Sequence, residues 1–124
     1  MWNRTIESLC MNDCLFCKIV SGQIPAAILH QDDALVAFRD ISPKAPLHVL
    51  IVPRRHIATL NDLTADDDAL VGSMARLAAT LAKEHEYDQG GFRTVFNCNA
   101  DAGQTVFHIH MHLLAGRPLG WPPG

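Results

Sequence analysis

The sequence predicts an α+β domain in which a largely antiparallel sheet is accompanied by one long helix and a short N-terminal helix. Three observations support this prediction. The chain has 124 residues, a length that suits a single domain. Short apolar segments of strand character lie on both sides of one amphipathic helical segment. No internal repeat, low-complexity tract or interdomain linker interrupts the chain.

The N-terminal half predicts a short helix followed by three strands. Residues 13–20 are typical of a helix, with Asp13 as the N-cap and Gly22 beyond the end. Two strands joined by a tight turn follow, and then a proline-containing loop over residues 41–46 leads into an almost wholly apolar central strand. These strands cover residues 27–31, 34–38 and 47–52, and Pro53 is expected to stop the last one.

The C-terminal half predicts the long helix and two further strands, which gives about five strands in all. Thr64 is a suitable N-cap, and three aspartates follow it where the helix dipole favours negative charge. Apolar residues then recur at helical spacing until the pattern fades by Tyr87. The last strands are predicted over residues 92–97 and 105–114, on either side of a turn-rich loop.

Composition excludes several classes of protein. Hydrophobic residues make up 48% of the chain and charged residues 19%, which excludes a disordered or fibrous protein. The net charge of -3 argues against a sequence-blind nucleic-acid binder, because such proteins displace counterions with a basic surface. No apolar run reaches the ~18 residues of a membrane helix, and the first residues are not typical of a signal peptide. We therefore expect a cytoplasmic protein with reduced thiols, no membrane contact and a flexible segment over residues 1–12.

Three histidines alternate with apolar residues in the last predicted strand. Alternate side chains of a strand share one face, so His108, His110 and His112 are expected to point the same way. The first and the third lie about 13 Å apart in an extended chain, too far to bind one zinc ion at about 2.0–2.1 Å. The run therefore indicates either a metal centre that uses part of it or nucleophilic catalysis by the central imidazole.

The residues before the run favour chemistry at phosphorus. Gly103 lets the backbone approach a ligand closely, and the N–H groups of such a turn suit a phosphate. Gln104 and Thr105 can donate hydrogen bonds to phosphoryl oxygens or to a departing group.

Taken together, several motifs resemble those of the histidine triad (HIT) superfamily. They are Phe38-Arg39-Asp40-Ile41-Ser42-Pro43, the segment from His48 to His56, Gly103-Gln104-Thr105 and His108-Ile109-His110-Met111-His112-Leu113-Leu114. The ending, with Gly116-Arg117-Pro118 and Trp121-Pro122-Pro123-Gly124, is similar to the nucleotide-binding branch called Hint. The resemblance covers residues 13–124, which are therefore expected to form a single HIT domain.

The resemblance implies a phosphoramidase. It implies a homodimer whose sheets join, binding of purine nucleotides such as AMP or GMP, and hydrolysis of purine nucleoside 5′-phosphoramidates through a nucleotidyl-histidine intermediate. By position, His110 would attack the α-phosphorus, His112 would contact the phosphate and Thr105 would lie near the leaving nitrogen. No catalytic metal is expected, because imidazoles and N–H donors can neutralise the phosphoryl oxygens. Alternatives are a dinucleoside polyphosphate hydrolase, a nucleotide-binding regulatory module and a metal-binding protein without catalysis.

The same resemblance assigns the nucleotide-binding residues. Asp40 would hold the ribose hydroxyls and Ile41 would line the base pocket. Asn97, Gly103 and Gln104 would surround the phosphate. In purely structural interpretations, Asp40 forms a turn before Ser42-Pro43, and Asn97 caps the end of a strand.

The cysteines suggest a second site. Cys14 and Cys17 have the CxxC spacing, which taken alone is typical of either metal binding or a redox pair. The resemblance to other HIT branches implies a structural zinc completed by His56 and His108, with His48 as the second choice of ligand. Cys10 and Cys98 receive no role.

Overall fold

The computed structural model describes residues 13–124, which fold into a five-stranded antiparallel sheet and two α-helices. In chain order the elements are α1 Leu15–Val20, β1 Ile28–Gln31, β2 Leu35–Arg39, β3 Leu47–Pro53, α2 Asp68–Glu84, β4 Phe92–Phe96 and β5 Met111–Ala115. The strands lie in the order β1-β2-β3-β5-β4. The predicted α+β class, with about five strands, one long helix and a short N-terminal helix, is confirmed. The segment 1–12, predicted to be flexible, lies outside the described residues.

Strand β3 forms the centre of the sheet, and all seven of its residues are buried. Its alternate side chains enter two different cores. Leu47, Val49 and Ile51 pack with the apolar stripe of α2, which includes Met74, Leu77, Ala78 and Leu81. Leu50 and Val52 pack on the other face with Phe38 and with Cys14, Phe16 and Cys17 at α1. The sheet therefore separates the long helix from the short one.

Both helices begin later than the sequence predicts. The N-cap of α1 is Cys14 instead of Asp13, and its Sγ accepts a hydrogen bond from the Cys17 N–H at 3.3 Å. Thr64 caps a short 3-10 turn, and α2 begins only at Asp68. The buried Asp67 carboxylate accepts from the Thr64 N–H and pairs with Arg55, so it completes a capping box in this 3-10 turn. The regular α-helix begins at the next residue.

The last strand is shorter at its N-terminal end than the predicted segment 105–114. It pairs with β3 only up to Ile51 opposite Met111, so His108 and His110 lie before the strand. Pro53, which has no N–H to donate, lies at the end of β3, and the Ile109 N–H bonds to the Ile57 carbonyl instead. The alternation of faces nevertheless persists along this extended segment, because Ile109, Met111 and Leu113 all enter the α2 core.

A close contact fixes the turn after β5. Gly116 has a φ of +102°, and a Cβ added there would lie 2.7 Å from the Cβ of Pro46. Only glycine therefore suits this position. No helix among residues 13–124 is long and apolar enough to span a bilayer.

Candidate active site

A cavity of about 340 Å³ lies between α1 and the sheet. Its wall is largely apolar and comes from α1, the loop after it and β2, with Leu15, Phe16, Ile19, Ile24 and Phe38 among its residues. Its polar end contains Asp40, Thr105, His110 and His112, and Ile41 stands at the rim with 98% of its surface exposed. The structure thus brings five of the predicted site residues to one pocket.

The ring of His110 is oriented by two contacts. Its Nδ1 lies 2.8 Å from the carbonyl oxygen of His108, which can only accept, so Nδ1 carries the proton. The edge of Phe16 packs against the ring, with centroids 4.9 Å apart and planes at 87°. Burial lowers the pKa of His110, which favours the neutral ring. The neutral ring then has its lone pair on Nε2, the atom available to attack an electrophile.

His112 has the opposite tautomer, because a chain of hydrogen bonds fixes its protons. The Lys44 N–H donates to Nδ1 of His48 at 3.0 Å, which leaves the proton of His48 on Nε2. That Nε2 donates to Nδ1 of His112 at 2.9 Å, so His112 carries its own proton on Nε2. Burial, followed by the neighbouring imidazoles of His110 and His48, lowers the pKa of His112 to about 4. The pocket thus combines one imidazole that can attack with one that can donate.

Asp40 forms the predicted turn and also lines the cavity. Its Oδ1 accepts from the Ser42 N–H at 2.7 Å, which closes the turn after β2. Its Oδ2 lies 3.4 Å from Nε2 of His48, and the residue also lines the cavity. The carboxylate therefore holds this loop in place at the edge of the cavity.

Asp40, His48 and His112 also place three potential metal ligands within 4.8 Å of one another. A metal ion would need a lone pair on Nε2 of His48, but the Lys44 N–H already uses the lone pair on Nδ1. An imidazole with both lone pairs engaged would have to be deprotonated to imidazolate. We therefore interpret this trio as a hydrogen-bonded relay.

The predicted phosphate residues Asn97, Gly103 and Gln104 do not line the described cavity. The Gln104 side chain is 6% exposed, and its Oε1 accepts from the Asn99 N–H at 2.8 Å. Its Nε2 donates to the carbonyls of Ala58 and Val106. The N–H groups of Gly103 and Gln104 are bonded within the same loop. The geometry thus gives Gln104 the task of shaping the loop, and a side-chain contact with phosphate would require this network to break.

A second cluster of potential ligands contains the two cysteines at α1 and two histidines. The ligand atoms of Cys14, Cys17, His56 and His108 all lie within 4.8 Å of one another. The His108 Nδ1 lies 3.4 Å from the Cys14 Sγ and 3.5 Å from the Cys17 Sγ, and the His56 Nδ1 lies 3.4 Å from the Cys17 Sγ. In a tetrahedral zinc site, bonds of about 2.3 Å to sulfur and about 2.0–2.1 Å to nitrogen place S and N about 3.5 Å apart. These three sulfur–nitrogen pairs therefore have the spacing of a tetrahedral zinc site.

The surroundings of His108 also suit a metal ligand. The residue is fully buried, and its Nε2 donates to the Pro53 carbonyl at 2.7 Å, which leaves the lone pair on Nδ1 facing the sulfurs. Burial lowers its pKa to about 4, which favours the neutral form that binds metals. His108 and His112 thus belong to separate groups, as the distance argument from the sequence predicts. His48 lies in the relay, and His56 completes the cluster.

The fold and the pocket define a class of small α+β proteins with a histidine-based reactive site. Residues 13–118 match the family described as "Scavenger mRNA decapping enzyme C-term binding". The purine nucleoside phosphoramidase of Escherichia coli K12 is 48% identical over 106 residues, which are 86% of this chain and 89% of that protein. The chain therefore belongs to the histidine triad superfamily, as its motifs indicate.

Solved structures agree with this assignment. A HIT family hydrolase from Legionella pneumophila has a TM-score of 0.89 and 50% identity, covering 90% of this chain and 100% of its own. A histidine triad protein from Clostridium difficile has a TM-score of 0.86 and 42% identity, covering 89% of this chain and 96% of its own.

Two features of the site were not predicted from the sequence. One is the apolar wall that α1 contributes, although Leu15 and Phe16 stand between the two cysteines and could have indicated it. The other is the chain of hydrogen bonds through Lys44 and His48. A main-chain donor leaves no signal in the sequence, whatever its residue type.

Proposed function

We propose that this protein is a hydrolase that cleaves the P–N bond of purine nucleoside 5′-phosphoramidates. The observation that carries the proposal is the pair of opposite tautomers in one pocket, a lone pair on Nε2 of His110 beside an N–H on Nε2 of His112. A nucleophile and a hydrogen-bond donor on adjacent rings, with centroids 5.1 Å apart, suit attack at a phosphoryl group. The E. coli relative named a purine nucleoside phosphoramidase supports the same chemistry.

The first step is attack of the His110 Nε2 on the α-phosphorus. A bond forms between that nitrogen and phosphorus, and the bond from phosphorus to the substrate nitrogen breaks. The departing nitrogen takes a proton from solvent water and leaves as the amine. The carbonyl of His108 stabilises the developing positive charge on the ring through the Nδ1 proton. The His112 N–H donates to a phosphoryl oxygen, and the Thr105 hydroxyl lies near the leaving nitrogen. The product of this step is a nucleotidyl-histidine.

In the second step, water attacks the same phosphorus and His110 leaves. The proton that the water loses returns to the solvent and balances the one taken up by the amine in the first step. The nucleoside monophosphate is released, and the imidazole returns to its neutral tautomer because the His108 carbonyl still holds its Nδ1 proton. Each half of the reaction thus uses His110 in a different role, first as the nucleophile and then as the leaving group.

The nucleotide would bind along the cavity with its base between α1 and Ile41. Asp40 would accept hydrogen bonds from the ribose hydroxyls, since its carboxylate lines the pocket. Asn97, expected from the sequence to contact the phosphate, does not line the described cavity, and Gly103 and Gln104 would support the loop beside the phosphate. AMP and GMP are the simplest ligands of this class.

A zinc ion would be held by Cys14, Cys17, His56 and His108. Their spacing and the burial of three of the four residues support a closed structural centre. Such an ion fixes the chain around it and takes no part in the phosphoryl chemistry.

The protein would act as a homodimer of single HIT domains, in the manner of the Hint branch. Strand β4 is at the edge of the sheet, and Phe92 on it is 38% exposed. An unpaired edge of this kind can continue into the sheet of a second copy. Trp121 in the tail is 83% exposed, which suits contact with that copy.

Replacement of the nucleophile tests the proposal. The variant His110→Ala should lose turnover of adenosine and guanosine phosphoramidates and keep most of its affinity for AMP. Rapid quenching of the unmodified protein with substrate labelled in the nucleotide should trap label on His110. Faster turnover of dinucleoside polyphosphates than of phosphoramidates would favour the alternative hydrolase. Unchanged turnover by the variant would disprove covalent catalysis by this residue.

A further inference from the structure

Helix α1 is shared by the two sites. It has only six residues, too few to be stable without tertiary contacts. The N-cap Cys14 and Cys17 face the metal cluster, whereas Leu15, Phe16 and Ile19 line the cavity. One short helix thus supplies half of the metal ligands and part of the apolar wall of the nucleotide pocket.

Phe16 lies between the two sites. It is 5% exposed, and its ring packs edge-on against His108 at 6.1 Å and against His110 at 4.9 Å between centroids. A third edge contact, at 5.6 Å, joins it to Phe38 of β2. A displacement of α1 would therefore move the aromatic wall and remove a contact of the nucleophile.

The backbone provides a second connection. His108 belongs to the metal cluster through its ring, and its carbonyl accepts the Nδ1 proton of His110. The same ring is held by the Pro53 carbonyl. A fixed His108 therefore fixes the tautomer and the direction of the reactive imidazole.

We infer that occupation of the Cys14-Cys17-His56-His108 cluster by zinc and binding of a nucleotide in the cavity are linked, each raising the affinity for the other. The inference rests on the proposed function, because it needs a nucleotide in this pocket. A zinc ion would join α1 to the segments that carry His56 and His108, so the pocket wall would be formed before the ligand arrives. By thermodynamic reciprocity, the factor by which zinc raises nucleotide affinity equals the factor by which the nucleotide raises zinc affinity.

This linkage differs from a purely stabilising role. A centre that only stabilised the fold would leave the affinity of folded molecules for nucleotide unchanged. Coupling through α1 and His108 should instead change it by roughly tenfold, within the range of about 5–150-fold usual for linked sites. Cys14 and Cys17 are then positioning residues for the reaction.

The test uses the full chain and AMP as the probe, since AMP is the product and is not consumed. Calorimetric titration gives the Kd for AMP with the zinc-loaded and the zinc-stripped protein, and competition with a chelator gives the zinc affinity with and without AMP. We expect the two ratios to be equal, at roughly tenfold. Equal AMP affinities in two samples that are both folded by circular dichroism would overturn the linkage alone. Absence of AMP binding to the zinc-loaded chain would overturn the proposed function as well.

A second measurement covers the case in which the stripped chain unfolds. Cobalt in place of zinc gives a visible absorption band that reports on the ligand geometry of the loaded, folded protein. Saturating AMP should shift this band, and AMP that binds without changing it would refute the coupling. The matched control is Cys98→Ser, which alters a cysteine outside the cluster and should leave the shift and the AMP affinity unchanged.

Discussion

The hydrogen-bond relay through His48 makes the sharpest prediction. The ring accepts from the Lys44 N–H on one side and donates to His112 on the other, at 3.0 and 2.9 Å. A substitution that keeps both properties should preserve the N–H on Nε2 of His112, which lines the cavity. A substitution that replaces the donor by an acceptor should remove this N–H from Nε2 of His112, although neither substitution contacts the substrate.

The size of the effect follows from that lost hydrogen bond. In His48→Ala, Nδ1 of His112 loses its donor inside the protein, which costs about 1–3 kcal/mol. If that cost is felt in the transition state, kcat falls by about 5–150-fold. His48→Glu should be worse than alanine, because a carboxylate can only accept and draws the His112 proton to Nδ1. His48→Gln should retain most of the activity, because its amide offers both an acceptor and a donor.

Steady-state turnover of an adenosine phosphoramidate, with kcat and KM separated, measures this order. Thermal unfolding of each variant shows whether stability follows the same order. The expected order of kcat is His, Gln, Ala and Glu, with KM changed much less. Equal activity of the Gln and Glu variants would refute the tautomer argument, since their shapes are almost the same and the Glu carboxylate lacks the donor that the Gln amide supplies.

Three further predictions concern stability and metal content. Gly116→Ala should lower the free energy of unfolding in urea by about 2–5 kcal/mol, because the new Cβ is both strained at positive φ and overpacked. Gly22→Ala should lower it by only about 1–2 kcal/mol, because this position has positive φ but open space around it. Because the pKa of His112 is lowered to about 4 in the folded protein, the unfolded chain binds more protons between pH 6.5 and about 4. The contribution of His112 to the free energy of unfolding should therefore decrease as the pH is lowered through this range. The variant His112→Asn should show a shallower decrease. Cys14→Ser should reduce the zinc content found by metal analysis and lower Tm by roughly 10 °C, which corresponds to a loss of about 2–3 kcal/mol in the free energy of unfolding. The control Cys98→Ser should change neither the zinc content nor Tm.

The sequence predicts the fold well because patterning determines it. The apolar stripe of α2 and the almost wholly apolar sequence of β3 predict a long helix that packs on a central strand. The boundaries are less well predicted because they depend on contacts between distant segments. Asp67 is an example, since its pairing with Arg55 and its place in a capping box are visible only once the chain has folded.

In the candidate site, too, the sequence predicts which residues come together but not the contacts that orient them. Family motifs place Asp40, Thr105, His110 and His112 at one pocket, and the structure brings them together there. The direction of each proton depends on neighbours such as the His108 carbonyl, which are main-chain atoms without a sequence signature. The internal bonding of Gln104 is equally hidden, because an amide suits a loop as well as a phosphate.

The proline at the end of β3 makes three similar side chains chemically inequivalent. If β5 paired with β3 on the N-terminal side of Met111 as well, the three imidazoles would form a regular row with similar surroundings. Instead the pairing of β3 with β5 ends at Met111. The His108 ring donates to the Pro53 carbonyl, while the His110 ring lines the cavity. The transfer of these three histidines into another β-sheet protein would therefore also require a neighbouring strand that ends before the first two of them.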